Sequence, residues 1–344
     1  MIKNLLIKER KFRPIGIFIL ILLPLLSSLF ALSIGRLSIS PREILGFFLS
    51  LIKNESYDAM LESVIINIRL PRILTALIVG VGLSLAGLAF QSIFANPLAT
   101  PDILGVASSA SLGAIIGILF SLPVLETQIL AMVTGLLGVV LVIKISQKDG
   151  QMPTIMLILS GLVISSLANA LGSLLKYTAD PTDKLPAITY WLMGSFARSS
   201  FQNLLLAGPV LIFGIIIIWT KGFSLNILSL SSDEAESLGL DVKKTRLRLI
   251  IASTMITASS ISLCGQIGFI GLIIPHMARM LIGANTRYLI PLSLSLGAGL
   301  MVIIEALSRS VSVIELPISI ITAIIGAPII IRLIRSTGGV FRWL

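Results

Sequence analysis

Few residues in this chain could do chemistry. It has one histidine, His276, and one cysteine, Cys264. His276 lies in GFIGLIIPHMAR (268–279), with no second histidine to complete a metal pair and no H-E-x-x-H helix. Cys264 lies in an apolar run and excludes an internal disulfide. The acids inside apolar stretches are Asp102, Glu126 and Glu305, scattered and close to the ends of those stretches. General acid–base work needs a group placed to reach a reacting proton, and no such arrangement can be read from these positions. There is no G-x-x-x-x-G-K-[ST] phosphate loop, so the chain is not expected to hydrolyse ATP by itself. No catalytic residue, no metal site and no cofactor of its own are expected. His276 is expected to make a polar helix-end or partner contact near one membrane surface.

The most structured polar stretch is SSDEAESLGLD (231–241). Ser231 and Glu234 fit a capping box, each covering a free N–H of the first helical turn. Gly239 suits the left-handed residue after a helix. Asp241 can cap the next helix, which opens with Lys243, Lys244, Arg246 and Arg248. A capped helix of about two turns is therefore expected, either as a solvated connector or as a docking element for a soluble partner.

The elements around these groups are set by composition. Of 344 residues, 56% are hydrophobic and 12% charged, and the mean hydropathy is +1.03. A water-soluble domain carries about 25% charged residues, so lipid must be the solvent. No polar region is long enough for a separate soluble domain, and 1–344 is expected to be one membrane domain. The net charge of +10 reports orientation in such a protein. Basic and aromatic residues do not alternate as a nucleic-acid surface would require, so no nucleic-acid partner is expected.

A spanning helix needs roughly 20 apolar residues. Runs at 15–34, 70–95, 102–121, 124–145, 153–176, 201–219, 249–266, 268–283, 288–307 and 316–334 predict about ten spans. The uncharged stretch 249–278 is split at Gly265, Gly268 and Gly271, and 73–143 at Asn96-Pro97, Pro101 and Pro123. With both termini inside, 17 of the 26 Lys and Arg fall on the inner side. The positive-inside rule then predicts a cytoplasmic tail at 1–13 and a cytoplasmic connector helix within 231–245.

A faint repeat joins the two halves. LSLAGLAFQSIFANP (83–97) aligns without gaps on ISLCGQIGFIGLIIP (261–275), matching Ser84, Leu85, Gly87 and Pro97 to Ser262, Leu263, Gly265 and Pro275. These segments lie in spans of opposite direction, which predicts an inverted repeat of two halves. Pro97 and Pro275 are expected to make two related bends.

Residues RLPRILTALIVGVGLSLAGLAFQSIFANPLATPDILGV (69–106), LPAITYWLMGSF (185–196), GQIGFIGLIIPHMAR (265–279) and ELPISIITAIIGAPIIIRLI (315–334) resemble the FecCD-type permeases. The resemblance runs over nearly the whole chain, in the family's order. Those permeases import ferric siderophores, haem, cobalamin and, in some members, molybdate. It implies an all-α polytopic membrane protein with the type II ABC importer permease fold. It also implies a second permease copy or paralogue, two ABC ATPase subunits carrying ATP and Mg, and an external substrate-binding protein. The place implied is the cytoplasmic (inner) membrane.

The resemblance also assigns residues. Ser231, Asp233, Glu234, Ala235, Leu238 and Gly239 resemble the loop on which such permeases seat their ATPases. Arg69, Arg72 and Arg309 match outward-facing arginines that receive the binding protein; snorkelling, or for Arg309 a pair with Glu305, is the plainer reading. The fifth span would line the path with Ser165 and Asn169, and Thr154 would stand at the cytoplasmic gate. Helix packing alone also explains small residues there. An ion-coupled carrier would suit an inverted repeat too, but it would be expected to show mid-span ionisable residues, and the docking helix would have no role in it. A ferric siderophore is the expected cargo, with haem, cobalamin and molybdate as alternatives.

Overall fold

The computed structural model describes residues 6–8, 11–53, 57–147, 152–230 and 232–336. Ser231, Lys148, much of the 1–13 tail and the stretch beyond 336, with Arg342, lie outside the described residues. A short hairpin, β1 (Ile7–Lys8) and β2 (Lys11–Phe12), precedes the helices.

The expected spans are all helical. In the first half they are α1 (Pro14–Ser33), α3 (Ala59–Ile93), α4 (Val106–Leu119), α5 (Val124–Ser146) and α6 (Thr154–Tyr177), with α2 (Pro41–Lys53) between the first two. In the second half α7 (Lys184–Leu192) is followed by α8 (Phe201–Thr220), α9 (Gly222–Leu228), α10 (Ser232–Ser237), α11 (Val242–Cys264), α12 (Ile270–Ile282), α13 (Thr286–Ser310) and α14 (Ile318–Ser336). Among the described residues, seven helices are long and apolar enough to cross a membrane: α1, α3, α5, α6, α8, α11 and α13. The other three expected spans, α4, α12 and α14, are shorter apolar helices. The inverted repeat is visible in this order. The third span of each half, α4 with 14 residues and α12 with 13, is too short to cross alone.

The register of the repeat differs from the gapless alignment. Helix α3 runs through Gly87 to Ile93, whereas α11 stops at Cys264. Pro97 lies in a loop and Pro275 lies inside α12. The two prolines therefore do not make matching bends. The architecture pairs the break after Ile93 with the break after Cys264, and weak side-chain similarity cannot fix that register.

Helices α3, α11 and α13 form the buried centre, while α1, α5, α6 and α8 face outward. In lipid there is no hydrophobic drive between helices, so close backbone approach must hold them. The sequence supplies it with glycine. A Cβ on Gly87 would collide with the Gly271 carbonyl of α12, and one on Gly80 with the Gly297 carbonyl of α13. Helix α3 begins at Ala59, about three turns before the expected 70, and is π-helical over Val64–Arg69. Pro71 lacks an N–H and crowds the carbonyl four residues back, and the wider π turn gives that ring room.

Helix α2 was not expected. Ile44, Phe47 and Ser50 make its buried side, and Tyr57 packs on Phe47 and donates its hydroxyl to the Glu43 carbonyl.

Candidate functional site

Two interruptions of the helices shape the centre. After Ile93 the chain turns through Ala95, at φ 44, and Asn96, whose side-chain oxygen accepts from the Leu98 N–H at 2.9 Å. A 3₁₀ turn at Pro101–Leu104 ends on Gly105, at φ 73. Only glycine adopts that conformation at little cost. The turn lies against the middle of α6, where a Cβ on Gly161 would strike the Ile103 carbonyl and one on Gly105 would come within 2.8 Å of Ser165 Oγ. The chain therefore re-enters the bundle before α4 begins.

The second interruption runs from Gly265, at φ 73, to Phe269, at φ 70. It locks onto two other irregular stretches. Ser195 N donates to Cys264 O at 2.8 Å, Ile318 N to Gly194 O at 3.0 Å and Ser319 N to Met193 O at 3.2 Å. Backbone without helical partners is tolerated at membrane depth only where protein or a water-lined cavity satisfies it.

Both conditions hold here, because a cavity of about 560 Å³ opens between the two interruptions. Thr100 and Asp102 line it from the first, Gln266 from the second, and Thr257 and Ser260 from α11. Lys176 of α6, Thr189 of α7, Ser108 of α4 and Ser319 of α14 complete the polar lining, with Leu83 and Phe269 among the apolar groups. Hydroxyls, an amide, one cation and one acid can pass a polar solute. Among the described residues, no group of three or more His, Cys, Asp or Glu could hold a metal ion.

The residues expected on the path are dispersed. Ser165 is half-buried against the Gly105 turn. Asn169 is exposed, on one side of α6 with exposed Ser166 and Ser173. Thr154 opens α6, half-buried, directly after Pro153. None of the three lines the cavity. Sequence reasoning missed Lys176, Thr257, Ser260 and Gln266; the signal was the glycine-flanked Gln266 in CGQIG, read only as a helix break.

The three arginines expected to receive the binding protein are buried and bonded within the chain. Arg69, Arg72 and Arg309 are 2%, 5% and 6% exposed. Arg72 Nε donates to Glu305 Oε1 at 2.8 Å, and its two terminal nitrogens grip Glu315 at 2.8 and 2.9 Å. Arg309 Nε donates to Glu305 at 2.9 and 3.2 Å. Its other nitrogens reach the Ala31 and Ile34 carbonyls, and Arg69 reaches those of Leu32 and Leu37. The end of α1 leaves carbonyls without helical partners, and arginine forks satisfy them. Glu315 lies in the loop before α14; burial pushes its pKa up, but the bonds from Arg72 hold it below the ordinary carboxylate value. Glu305 and Glu315 bind the positions where a partner's carboxylates were expected.

At the opposite end, α10 has the expected form. Gly239 is left-handed, at φ 81, and the Leu240 N–H returns to the Ala235 carbonyl at 3.2 Å. That is the hydrogen bond of a Schellman stop. Asp241 accepts from Lys244 N at 2.9 Å and caps α11. Its carboxyl is held below its ordinary pKa by the side-chain and backbone bonds from Lys244. Ala235 is 1% exposed and anchors the helix, while Asp233, Glu234, Leu238 and Gly239 are exposed. The Ser231 half of the capping box falls outside the described residues.

His276 is half-buried in α12 beside Pro97, Leu98 and Ile330.

Comparison with known proteins gives the following. The profile of the FecCD transport family matches residues 20–336. The molybdate import permease MolB of Haemophilus influenzae is 40% identical over 92% of this chain and 94% of its own length. The hemin permease HmuU of Yersinia pestis is 35% identical over 92% and 94%. A solved structure described as an inward-facing conformation of a metal-chelate type ABC transporter superposes with a TM-score of 0.85 at 38% identity. It covers 94% of this chain and 100% of that one. PsaBC of Streptococcus pneumoniae, at 19% identity and a TM-score of 0.56, shares the fold.

Proposed function

The chain belongs to the FecCD transport family and is an ABC importer permease, and on that premise we propose that it carries an iron complex, a ferric siderophore, inward across the cytoplasmic membrane. The observation that carries this reading is the 560 Å³ cavity between two interrupted helices. Ligand pockets run about 300–1,000 Å³, and interrupted helices at mid-membrane are where transporters pass substrates.

Two copies of the chain, or one copy and a paralogue, face each other across α6. The exposed Ser166, Asn169 and Ser173 support this, because such groups are costly against lipid. Two ATPase subunits seat on α10 at the cytoplasmic end and hydrolyse ATP with Mg. The basic residues that open α11 support that orientation. An external binding protein docks at the opposite end. Exposed Arg36 and Arg42 are among the cations available there, beside Arg69, Arg72 and Arg309.

A second reading, molybdate, is favoured by the 40% identity to the molybdate permease. One experiment separates the cargoes: the affinity of the cognate binding protein for ferric siderophores, haem, cobalamin and molybdate. Tight binding of a ferric siderophore alone supports the first reading, and tight binding of molybdate alone replaces it.

A further inference from the structure

A second cavity, of about 660 Å³, opens at the α10 end of the bundle, between the end of α8, α9 and the first turns of α13. It is built rather than incidental. Thr286 Oγ1 donates to the Gly222 carbonyl at 2.6 Å, and Thr286 N donates to Asn226 Oδ1 at 2.9 Å, fixing α9 against α13. Its rim is polar, with Arg287, Asn285 and Asn226, and its deeper wall is apolar, with Ile290 and Pro291 one turn further along the span. Trp219 and Phe223 flank the opening, 50% and 78% exposed. Among the described residues, no acidic one lines it. The N-terminal hairpin adds charge nearby: Phe12 packs edge-on to Tyr288 at 5.4 Å, which brings exposed Lys11 and Arg13 to this end.

A cationic polar rim over an apolar wall, framed by exposed aromatics at a helix end, matches an amphipathic anion. We propose that this groove holds an anionic phospholipid. Its phosphate pairs with Arg287, the Asn226 amide donates to it, and an acyl chain lies along Trp219 and Ile290. The same phosphate chemistry is available from free phosphate, which lacks the chain that Ile290 and Trp219 accommodate.

The test uses the full chain released from detergent into native mass spectrometry with equal phosphatidylglycerol and phosphatidylcholine. Phosphatidylglycerol should be retained about fivefold over phosphatidylcholine, one charge near the surface contributing roughly that factor. Arg287→Gln should erase the preference. Independently of any charge variant, Trp219 fluorescence, read as the difference from Trp219→Phe, should be quenched more by brominated phosphatidylglycerol than by brominated phosphatidylcholine. Equal retention, a preference that survives Arg287→Gln, or equal quenching overturns the proposal. So does displacement of the lipid by inorganic phosphate, which would make the groove a free-phosphate site.

Discussion

Arg72 and Glu315 stand 243 residues apart and meet through two parallel bonds of 2.8 and 2.9 Å. Together with Glu305 and Arg309 they tie α1, α3, α13 and the loop before α14 at one end of the bundle. Arg72 and Arg309, expected as docking groups, are joined here with the two glutamates into a fastening.

Glu305 has no exposure and bonds both Arg72 and Arg309. Removing one member of a buried ion pair leaves charge uncompensated and costs about 3–5 kcal/mol. Glu305→Gln should lower stability by about that amount in detergent, read by denaturant or thermal unfolding. A change below about 1 kcal/mol would show that the cluster does not fasten the bundle.

Glu315 carries a pH signature. Its folded pKa lies below its ordinary value because of Arg72. The pair's contribution is therefore complete above the ordinary carboxylate pKa, about 4.3, and is lost as pH falls through the lowered folded value. The difference in thermal midpoint between the unmodified chain and Glu315→Gln should be flat from neutral pH to about 5 and shrink in stronger acid. A difference that grows on acidification would contradict the pairing.

Gly87 and Gly268 make a matched contrast. A Cβ at 87 meets the Gly271 backbone, while one at 268 meets nothing within 4 Å. Gly87→Ala should force α3 from α12 and cost about 1–3 kcal/mol. Gly268→Ala should fold at normal yield. Equal thermal midpoints for the two variants would defeat the close-approach account.

The lone Cys264 is 3% exposed, so the unmodified chain should resist a hydrophilic thiol reagent and serve as a background for placed cysteines. Asn169→Cys should label readily in the isolated chain and be protected in the paired permease. Thr154→Cys should label differently across the nucleotide states of the complex. Unchanging labelling at Thr154 in all states would remove it from the gate, and equal labelling at 169 would move the interface away from α6.

The sequence reveals the elements better than their joints. Length and apolarity placed every span to within about a turn at most ends, because the thickness of the hydrocarbon layer dictates them. Gly239 and Asp241 were readable because turn and cap chemistry is local. Of the arginine cluster, only the pair of Arg309 with Glu305 one turn away was readable. Nothing near Arg72 announces Glu305 or Glu315, and a terminal RLPR looks alike whether it faces water or an ion partner. The cavity was hidden for a similar reason: Thr257 and Ser260 read as ordinary packing residues, and only the re-entrant turn at Gly105 and the break at Gly265 make them a lining. The repeat was visible as a symmetry but not as a register, because apolar helices align almost anywhere.

In the proposed function a separate ATPase drives this permease through the Ser232–Ser237 helix and the exposed Leu238 that follows it. The direct measurement is ATP-dependent substrate uptake into proteoliposomes holding the permease with its cognate ATPase and binding protein, compared with the same assembly carrying Leu238→Glu, whose side chain is 62% exposed. Uptake that requires ATP, and that falls at least about tenfold in Leu238→Glu while the isolated variant keeps its thermal midpoint, is the predicted result. Uptake that proceeds without ATPase or ATP would contradict the account.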